Sequence, residues 1–508
     1  MTNHLFDQLF KQVNPDQRFA ETETGTVYQY QDVLDESARM ANALVDFGVA
    51  PGDRVVAQVQ KSIDAVMLYL GCVRAGAIYM PLNTGYTLGE VEYFLDDATP
   101  VLFICEPEKQ ASYLPLTQHR NIKLETLGTH QSSTNSDDNP IATGLLQARD
   151  QASTNFSNVE RHENDLAAML YTSGTTGKPK GAMLTHGNLY SNAQILKQHW
   201  QFDKNDVLLH ALPIFHTHGL FVAINTTIVA SSSMLFLSSF QIDKVIDSLP
   251  RSTVMMGVPT FYTRMLQDNR LTQSLVSHMR LFVSGSAPLL AETHVEFNQR
   301  TGHTILERYG MTETNMNTSN PYDGERRPGT VGFALPGVDL KVNKPETDEE
   351  LPQGETGMIE VRGPNVFKGY WNLPEKTKEE LRPNGFFITG DLGKIDEDGY
   401  VHIIGRGKDL IISGGFNVYP KEVELVLDDM DGVLESAVIG IPHDDFGEAV
   451  VAILVASNDN APDAEQVKQV AEHKLAKFKL PKQVHYVDAL PRNTMGKVQK
   501  NILRDQFS

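Results

Sequence analysis

The sequence predicts an α/β protein with a smaller α+β unit at its carboxy-terminal end. Helical and strand patterns alternate from the start. Residues 30–48 place apolar side chains at helical spacing as far as Gly48, and VAPGDRVVAQV follows as a turn and a strand. The segment SIDAVMLYLGCVRAGAIYMPL is a second apolar helix that leads into a strand. Such alternation is typical of a sheet covered by helices.

Length and composition indicate a folded globular chain. At roughly 150 residues per domain, 508 residues suggest two to four packing units, with a core that needs no disulfide or metal. Hydrophobic residues make up 41% and charged residues 21%, which excludes a wholly disordered chain. The two cysteines, Cys72 and Cys105, form no CxxC motif, so we expect two small buried or half-buried thiols in a reducing cytosol.

The charge balance excludes polyanionic partners. Lys and Arg number 44 against 64 Asp and Glu, a formal net charge of −20, which repels nucleic acid and anionic membranes. A phosphate-bearing ligand would need a locally basic or amide-rich pocket. The sequence shows no signal peptide, no apolar run near the ~20 residues that span a membrane, and no targeting tail in DQFS. We expect a cytoplasmic enzyme whose oligomeric state the sequence leaves open.

Three later regions differ from the first part of the chain in composition and in secondary-structure pattern. The stretch 128–158 is rich in Ser, Thr, Asn and Asp and is interpreted as a surface excursion. After about residue 322, the short β-like runs KVNK, GMIEVRG and GYVHIIG predict an antiparallel or barrel-like unit. From Lys408 onward, DLIISGG, a helix in VYPKEVELVLDDM and a strand in LESAVIGIP predict a separate α+β unit. The polar turn 405–409 is the expected boundary, which divides the chain into domains 1–405 and 406–508.

The strongest motif is LYTSGTTGKPKGAMLTHGN, residues 170–188. An apolar strand enters a loop dense in Ser, Thr, Gly and Lys, and a second strand leaves it. Glycines let backbone N–H groups converge on an anion, while hydroxyls and lysines add donors and charge. The segment is no Walker A loop, because Pro179 follows Gly177-Lys178 and no helix begins there. The pattern therefore predicts a polyphosphate-binding loop of another kind.

Three weaker clusters complete the set. Residues 309–313, YGMTE, combine an aromatic ring that can stack on a base, a threonine that can bond phosphate and a glutamate that can hold Mg²⁺. Asp391, in TGD, can accept hydrogen bonds from both ribose hydroxyls, and Arg406 follows some fifteen residues later. Near the carboxy terminus, PRNTMGKVQK places Lys497 on a glycine-hinged loop.

In this order, the clusters resemble those of the adenylate-forming superfamily of acyl-CoA synthetases, luciferases and peptide-synthetase adenylation domains. The resemblance extends over nearly the whole chain. It implies a large amino-terminal domain of two α/β lobes plus a distorted β-barrel, and a small mobile carboxy-terminal domain. It also implies an ATP site made of Thr172, Ser173, Gly174, Thr175, Thr176, Gly177 and Lys180 at the β- and γ-phosphates, Ser286, Ala287, Pro288, Glu307 and Tyr309 on the adenine side, and Asp391 and Arg406 at the ribose.

The same resemblance implies a two-step reaction with ATP, Mg²⁺ and coenzyme A. Thr312 would contact the α-phosphate, Glu313 would ligate Mg²⁺, and Lys497 would bridge the substrate carboxylate and the α-phosphate. Lys408 matches the hinge about which the small domain turns after the first step. That turn would withdraw Lys497 and bring to the coenzyme A tunnel the residues Ser413, Gly414 and Gly415.

The segment HALPIFHTHGL carries three histidines, His210, His216 and His218. A zinc site is disfavoured because no carboxylate or thiol ligand follows at useful spacing. By resemblance, His216 lies at the gate between the acyl and coenzyme A pockets. His218 is expected to be a packed, hydrogen-bonded imidazole.

Within the superfamily, LPIFHTHGL and RYGMTETNMNTSNPYDGERRPGTVG are most similar to malonyl-CoA synthetases, and Thr217 and Met316 would line a short acyl pocket. A dicarboxylic substrate needs a cation for its second carboxylate, because an unpaired buried charge is prohibitive. Arginine can supply a bidentate pair. We expect this cation to be Arg264 in VPTFYTRML, with Ser284 as a nearby donor and Arg280 as a weaker candidate.

Other functions stay open at this point. A short- or medium-chain monocarboxylate–CoA ligase would leave Arg264 facing solvent, and activity with malonate but not butyrate would exclude it. A non-catalytic nucleotide-binding sensor is disfavoured by the intact phosphate loop, Glu313 and Lys497. A carrier-loading adenylation domain is also compatible with the motifs, although no carrier segment follows in this sequence.

Overall fold

A computed structural model describes residues 3–130, 141–142, 144–172, 179–413, 416–443, 447–457, 461–475, 477–493 and 496–508. Helices and strands alternate over the first 300 residues, which confirms the predicted α/β class. The α-helices of these residues are α1 His4–Leu9, α2 Tyr30–Asp46, α3 Ile63–Ala75, α4 Leu88–Ala98, α5 Gln110–His119, α6 Leu145–Gln151, α7 His186–His199, α8 Asn225–Val229, α9 Ile242–Ser248, α10 Pro259–Leu266, α11 Gln273–Val276, α12 Ala291–Thr301, α13 Pro374–Glu380, α14 Pro420–Asp428, α15 Ala464–Lys474 and α16 Lys500–Phe507.

The strands form two large sheets and several smaller ones. In chain order they are β1 Arg18–Thr22, β2 Val27–Gln29, β3 Arg54–Gln58, β4 Ile78–Pro81, β5 Leu102–Cys105, β6 Lys123–Thr126, β7 Thr129–His130, β8 Ile141–Ala142, β9 Leu166–Thr172, β10 Lys180–Thr185, β11 Val207–His210, β12 Ser233–Phe236, β13 Val254–Gly257, β14 Leu281–Ser284, β15 Leu306–Met311, β16 Asn315–Ser319, β17 Phe333–Ala334, β18 Asp339–Asn343, β19 Gly357–Arg362, β20 Gly369–Tyr370, β21 Phe387–Ile395, β22 Val401–Arg406, β23 Ile411–Ser413, β24 Phe416–Val418, β25 Val433–His443, β26 Gly447–Ala456 and β27 Gln483–Tyr486.

Two lobes are built on the large sheets. The first sheet has the order β20-β10-β9-β4-β3-β5-β6, and the second has the order β17-β16-β15-β14-β13-β11-β12-β1-β2. Their central strands are parallel and read as unbroken apolar runs such as LFIC, VMMG and LFVS, because helices cover both faces. In the second sheet β11, β13, β14 and β15 are neighbours and all end at one edge. Ligand sites of open α/β sheets lie at such an edge.

The later β-like runs form a four-stranded antiparallel sheet of order β18-β19-β21-β22, as predicted. Beyond it, β24, β23, β26, β25 and β27 form a sheet. This last sheet has its own apolar clusters, one around Val450 and Leu454 and another around Val451 and Ile453. The carboxy-terminal region is therefore a small α+β unit with its own core. The position of its boundary stays a prediction.

The stretch 128–158 differs from the predicted surface excursion. Residues 131–140 and 143 lie outside the described residues, but Leu145–Gln151 form a helix whose Leu145 and Leu146 are fully buried in the main core. Two adjacent leucines were too short an apolar pattern to reveal a helix among so many polar residues.

Both cysteines are free and buried, as expected. Within the described residues, no helix combines the length and the apolar character needed to cross a membrane.

Candidate active site

The predicted site residues gather where the parallel strands of the second sheet end. Ser284 is the last residue of β14 and lies beside Gly257 of β13 and Glu307 of β15. The first sheet contributes the β9–β10 hairpin, in which Lys180 pairs with Thr172 across the strands. The cleft is thus lined from both lobes, and it is open to the small domain.

On one side of the cleft, Tyr309, Asp391 and Arg406 form a connected group. The Tyr309 hydroxyl donates to Asp391 Oδ2 at 2.5 Å, and Arg406 Nε lies 2.8 Å from Oδ1. The antiparallel register of β21 and β22 places Asp391 directly opposite Arg406. Burial and the neighbouring Asp391 charge hold the pKa of Tyr309 well above its ordinary value, so the phenol is a neutral donor. The structure therefore brings together the three residues expected around adenine and ribose.

Glu313 occupies the next position along the cleft. Its Oε1 accepts a hydrogen bond from the Thr172 hydroxyl at 3.1 Å and lies 3.1 Å from the Tyr370 hydroxyl oxygen, and the residue is only 5% exposed. Among the described residues there is no group of three or more His, Cys, Asp or Glu side chains that could hold a metal. A single buried carboxylate beside a phosphate loop fits Mg²⁺, which usually takes one or two carboxylates and substrate phosphates. Thr312 lies half-buried in the turn just before it.

The predicted phosphate loop lies between two antiparallel strands, as the sequence indicated. Thr172 and Lys180 mark its two ends. Lys180 is 7% exposed, and its ammonium lies 3.2 Å from Glu380 Oε1 and 4.1 Å from the centre of the Tyr370 ring. Outside the described residues lie the loop positions Ser173, Gly174, Thr175, Thr176 and Gly177.

Lys497 enters the same cleft from the small domain. Its loop is closed by hydrogen bonds in both directions with Asn493: Asn493 N donates to Lys497 O at 2.9 Å, and Lys497 N donates to Asn493 Oδ1 at 3.0 Å. The loop touches the start of α10, because a Cβ on Gly496 would lie 3.5 Å from Thr260 Cγ2. The side chain faces the open cleft. Desolvation by the surrounding walls and the Arg406 charge lower the pKa of Lys497, while Asp391 and Glu313 oppose this shift.

On the acyl side, several buried polar atoms have no hydrogen-bond partner within the described part of the chain. Buried polar groups are almost always paired, so a cluster of orphaned ones indicates a place for a ligand. Electrostatic coupling links Arg308 to both His216 and His218, and Ser284 precedes the glycine against which Arg308 packs. The orphaned atoms are His216 Nδ1, Thr217 Oγ1, His218 Nε2, Ser284 Oγ and Arg308 Nε and Nη2.

Arg308 is the unusual member of this group. It is 4% exposed, and a Cβ on Gly285 would lie 2.3 Å from its guanidinium carbon, so the glycine makes room for it. Desolvation lowers the pKa of Arg308 to about 9, and within the described residues its Nε and Nη2 have no hydrogen-bond acceptor. Burying an unpaired cation is expensive. A substrate carboxylate would remove that penalty.

The three histidines of this region lie near one another, since, after burial and Arg308, His216 and His210 both contribute to lowering the pKa of His218. Burial, Lys497 and Arg308 lower the pKa of His216 to about 3, so it is neutral. His218 Nδ1 lies 3.2 Å from the Ser286 hydroxyl, and Ser286 has a left-handed φ of 72° at the turn after β14. This strained turn positions the hydroxyl against the histidine, and strain of this kind is characteristic of functional sites.

The sequence analysis missed Lys61. Its ammonium lies 2.8 Å from His210 Nδ1 and 2.9 Å from the His210 carbonyl oxygen, and His210 Nε2 lies 2.8 Å from the Gly219 carbonyl oxygen. Since the ammonium can only donate, Nδ1 accepts and Nε2 carries the proton. These hydrogen bonds hold the start of the π-helical segment His218–Ile224, which forms a wall of the acyl side. No motif pointed to it, because Lys61 lies in a turn of ordinary composition.

The position of Arg264 does not favour it as the carboxylate anchor. Arg264 is exposed in the last turn of α10, with its guanidinium 6.0 Å from the centre of the Phe240 ring. A cation in solvent cannot neutralise a carboxylate buried beside Ser284. The sequence could have indicated Arg308, because it is a charged residue directly before the YGMTE motif.

The weaker candidate, Arg280, already has an anionic partner. Arg280 forms a two-pronged pair with Asp206 at 2.7 and 2.6 Å, and Asp206 is 3% exposed. We expect Arg280→Leu to destabilise the fold by about 3 kcal/mol, because it leaves Asp206 buried without its cation. Thermal unfolding should show a lower midpoint. The ratio of malonate to propionate activity should not change, and a change in that ratio would contradict the structural role.

The carboxylate of Glu307 lies 3.1 Å from His294 Nδ1 in a buried pair between β15 and α12, and its place on the adenine side stays a prediction. The remaining predicted positions are dispersed. Met316 is buried, with its backbone held by Asn192. In the described residues the others are a half-buried Ala287, an exposed Pro288, an exposed Lys408 and a buried Ser413, whereas Gly414 and Gly415 lie outside them.

The cleft at the sheet edge contains a group of residues suited to a nucleoside, a buried glutamate beside the expected phosphate loop, and a lysine from the small domain. Together these features define an adenylate-forming enzyme. The chain belongs to the AMP-binding enzyme family. The family pattern matches residues 9–371, and the pattern of the AMP-binding enzyme C-terminal domain matches residues 422–497.

Individual proteins give closer matches. The ATP-bound crystal structure of MatB from Rhodopseudomonas palustris is 56% identical, and the match covers 100% of this chain and 99% of that chain with a TM-score of 0.95. The apo crystal structure of the same protein gives a TM-score of 0.85 at the same identity and coverage. The malonate–CoA ligase of Arabidopsis thaliana is 34% identical over 90% of this chain and 78% of its own length. The fold predicted from the motifs is confirmed by these matches.

Proposed function

We propose that this protein is a malonate–CoA ligase. It converts malonate, ATP and coenzyme A to malonyl-CoA, AMP and pyrophosphate by way of a malonyl adenylate. Similarity to a curated malonate–CoA ligase and to MatB supports this reaction. The observation that carries the proposal is the buried Arg308, whose Nε and Nη2 have no acceptor within the described residues.

Arg308 distinguishes malonate from a monocarboxylate. Guanidinium donors pair with a carboxylate in a fixed two-pronged geometry, and burial strengthens that pair. The buried Ser284 and Thr217 hydroxyls, which also have no partner within the described residues, are further potential donors. A simple acyl chain would leave the cation and these hydroxyls unpaired, and sites built for hydrogen bonds reject analogues that lack the partner.

The other malonate carboxylate reacts with ATP. Its oxygen attacks the α-phosphorus in line, the bond to the β-phosphate oxygen breaks, and pyrophosphate leaves with the electron pair. Lys497 donates to the reacting carboxylate and to the α-phosphate, so it both orients the nucleophile and stabilises the developing charge. Glu313 would hold Mg²⁺ together with the nucleotide phosphates, and the ion would supply Lewis-acid neutralisation of the phosphate charge.

The second step uses a different arrangement of the small domain. The coenzyme A thiolate attacks the carbonyl carbon of malonyl adenylate, and AMP leaves. Lys408, exposed at the start of the small domain, is the proposed hinge. The higher TM-score against ATP-bound MatB than against apo MatB supports the view that this structure has the arrangement of the first step.

The test is AMP formation with ATP, Mg²⁺ and coenzyme A across malonate, methylmalonate, succinate, acetate, propionate, butyrate and octanoate. We expect malonate to give the highest kcat/KM, with methylmalonate as the next acid that the pocket could accept. A preference for butyrate or octanoate would leave the adenylate chemistry intact but reject the charged acyl pocket. Absence of pyrophosphate release with every acid would reject the enzyme altogether.

A further inference from the structure

The carboxylate of Glu380 interacts with the residues of the phosphate side, yet no motif included it. Lys180 Nζ lies 3.2 Å from Glu380 Oε1, Lys376 Nζ lies 3.0 Å from the same oxygen, and the Tyr370 hydroxyl donates to Oε2 at 2.6 Å. Glu380 is the last residue of α13, and its side chain is 19% exposed. The negative charge of Glu380 is therefore shared between the ammonium groups of Lys180 and Lys376.

Lys180 needs this anion when no nucleotide is present. It is 7% exposed, and a buried ammonium without an anion would carry a large desolvation cost. Glu380 provides the anion at contact distance, while the Tyr370 ring face adds a cation–π contact. Because Lys180 begins β10 at the end of the phosphate loop, the same ammonium is close to the place expected for the β- and γ-phosphates.

Tyr370 connects this group to the expected metal ligand. Its hydroxyl oxygen lies 2.6 Å from Glu380 Oε2 and 3.1 Å from Glu313 Oε1. A hydroxyl has one hydrogen to donate, so it can serve only one of the two carboxylates at a time. The shorter contact shows that it serves Glu380 here. The state of Glu380 is thereby coupled to the orientation of Glu313.

We propose that Glu380 is a positioning residue that substitutes for phosphate at Lys180 and competes with pyrophosphate for this lysine. The proposal rests on the proposed adenylate-forming reaction. When pyrophosphate is bound, Lys180 turns to it on its flexible stem. When pyrophosphate leaves, Glu380 pairs with Lys180 again, so release does not strand a buried cation. The competition weakens pyrophosphate binding and favours release of the product.

Calorimetric titration with pyrophosphate in the presence of Mg²⁺ tests this directly, without malonate or coenzyme A. We expect Glu380→Gln to bind pyrophosphate about tenfold more tightly, the scale of one hydrogen bond to a charged group. A merely structural role would weaken binding instead. Unchanged or weaker binding in Glu380→Gln would overturn the proposal.

Glu379→Gln is the matched control. It changes the net charge equally and removes another partner of Lys376, at 2.9 Å, but its side chain is 64% exposed and it does not contact Lys180. Its pyrophosphate affinity should equal that of the wild type. Equal tightening in both variants would show a general field effect and overturn the competition.

Two further variants keep the result interpretable. Glu380→Asp retains the charge but shortens the reach to Lys180, so it should tighten binding less than Glu380→Gln does. In a Lys180→Met background, Glu380→Gln should no longer tighten binding, since the contested lysine is gone. Failure of the malonate proposal would appear in the acid panel and leave these affinities unaffected.

Discussion

Replacement of Lys497 by alanine is expected to slow adenylation by about 100-fold or more while sparing thioester formation from supplied malonyl adenylate. The structure places this lysine where Arg308, Arg406, Asp391 and Glu313 all influence its charge. In that position its ammonium can meet the charge that develops on the phosphoryl oxygens. Loss of one preorganised donor of this kind typically costs about 10²–10³ in rate.

The measurement is the rate of each half-reaction in the same preparation. Pyrophosphate release with ATP and malonate reports adenylation, and coenzyme A consumption with preformed malonyl adenylate reports thioester formation. Lys474→Ala, which removes a lysine of the same small domain paired with the exposed Asp429, should behave as wild type in both. Equal loss of both half-reactions in Lys497→Ala would refute the division of labour.

Local sequence predicted the fold and the nucleotide side well, because each feature depends on short segments. The strand–loop–strand of the phosphate motif is a pair of neighbouring strands in the structure. Asp391 and Arg406 lie on consecutive strands of an antiparallel pair, so the register of the two strands explains why they are opposite each other. Tyr309 reaches Asp391 from another sheet, and only resemblance to a family linked these two positions in advance.

The acyl side was harder to predict because it is assembled from separate strands and loops. Arg264 was expected to be the anchor because it lies in a helix-like segment near plausible pocket residues, with Arg280 as the weaker alternative and Arg308 not considered. Helical periodicity cannot tell a cleft from solvent on the exposed face. Arg308 becomes recognisable only when its burial and its lack of an anion are known. The sequence did not indicate that Glu307 pairs with His294, because that histidine lies in the preceding helix.

Glu380 illustrates a further limit. Its sequence context, PEKTKEE, is that of a charged, exposed helix, and three of its four acidic or basic neighbours fit that description. The carboxylate is engaged only because β20 pairs with β10 and brings Tyr370 next to Lys180. Such a contact depends on sheet order, which no local pattern encodes.

The second large effect is expected at Arg308. Replacing it with methionine should lower kcat/KM for malonate by about 10²–10³-fold, because the second carboxylate would be buried without a cation. Activity with propionate should be retained or improved. A merely structural arginine would instead reduce activity with both acids, so the ratio of the two kcat/KM values is the decisive measurement.

The thermal stability of the Arg308→Met variant should not fall with its malonate activity and is expected to stay equal or rise. Because Arg308 is buried and its Nε and Nη2 have no partner within the described residues, an apolar side chain of similar length removes a desolvation cost. Arg308→Met is therefore expected to unfold at an equal or higher temperature than the wild type, while malonate should raise the unfolding temperature of the wild type alone. A variant that loses malonate activity through unfolding would fail this test.

The Gly285→Ala variant tests the role of the Arg308 guanidinium while leaving that side chain in place. The added Cβ would lie 2.3 Å from the guanidinium carbon, so Arg308 must shift out of its present position. We expect a raised KM for malonate and little change in the KM for ATP, since a displaced cation binds the second carboxylate poorly but remains in the pocket. Unchanged malonate kinetics in both Gly285→Ala and Arg308→Met would place the carboxylate anchor on another residue.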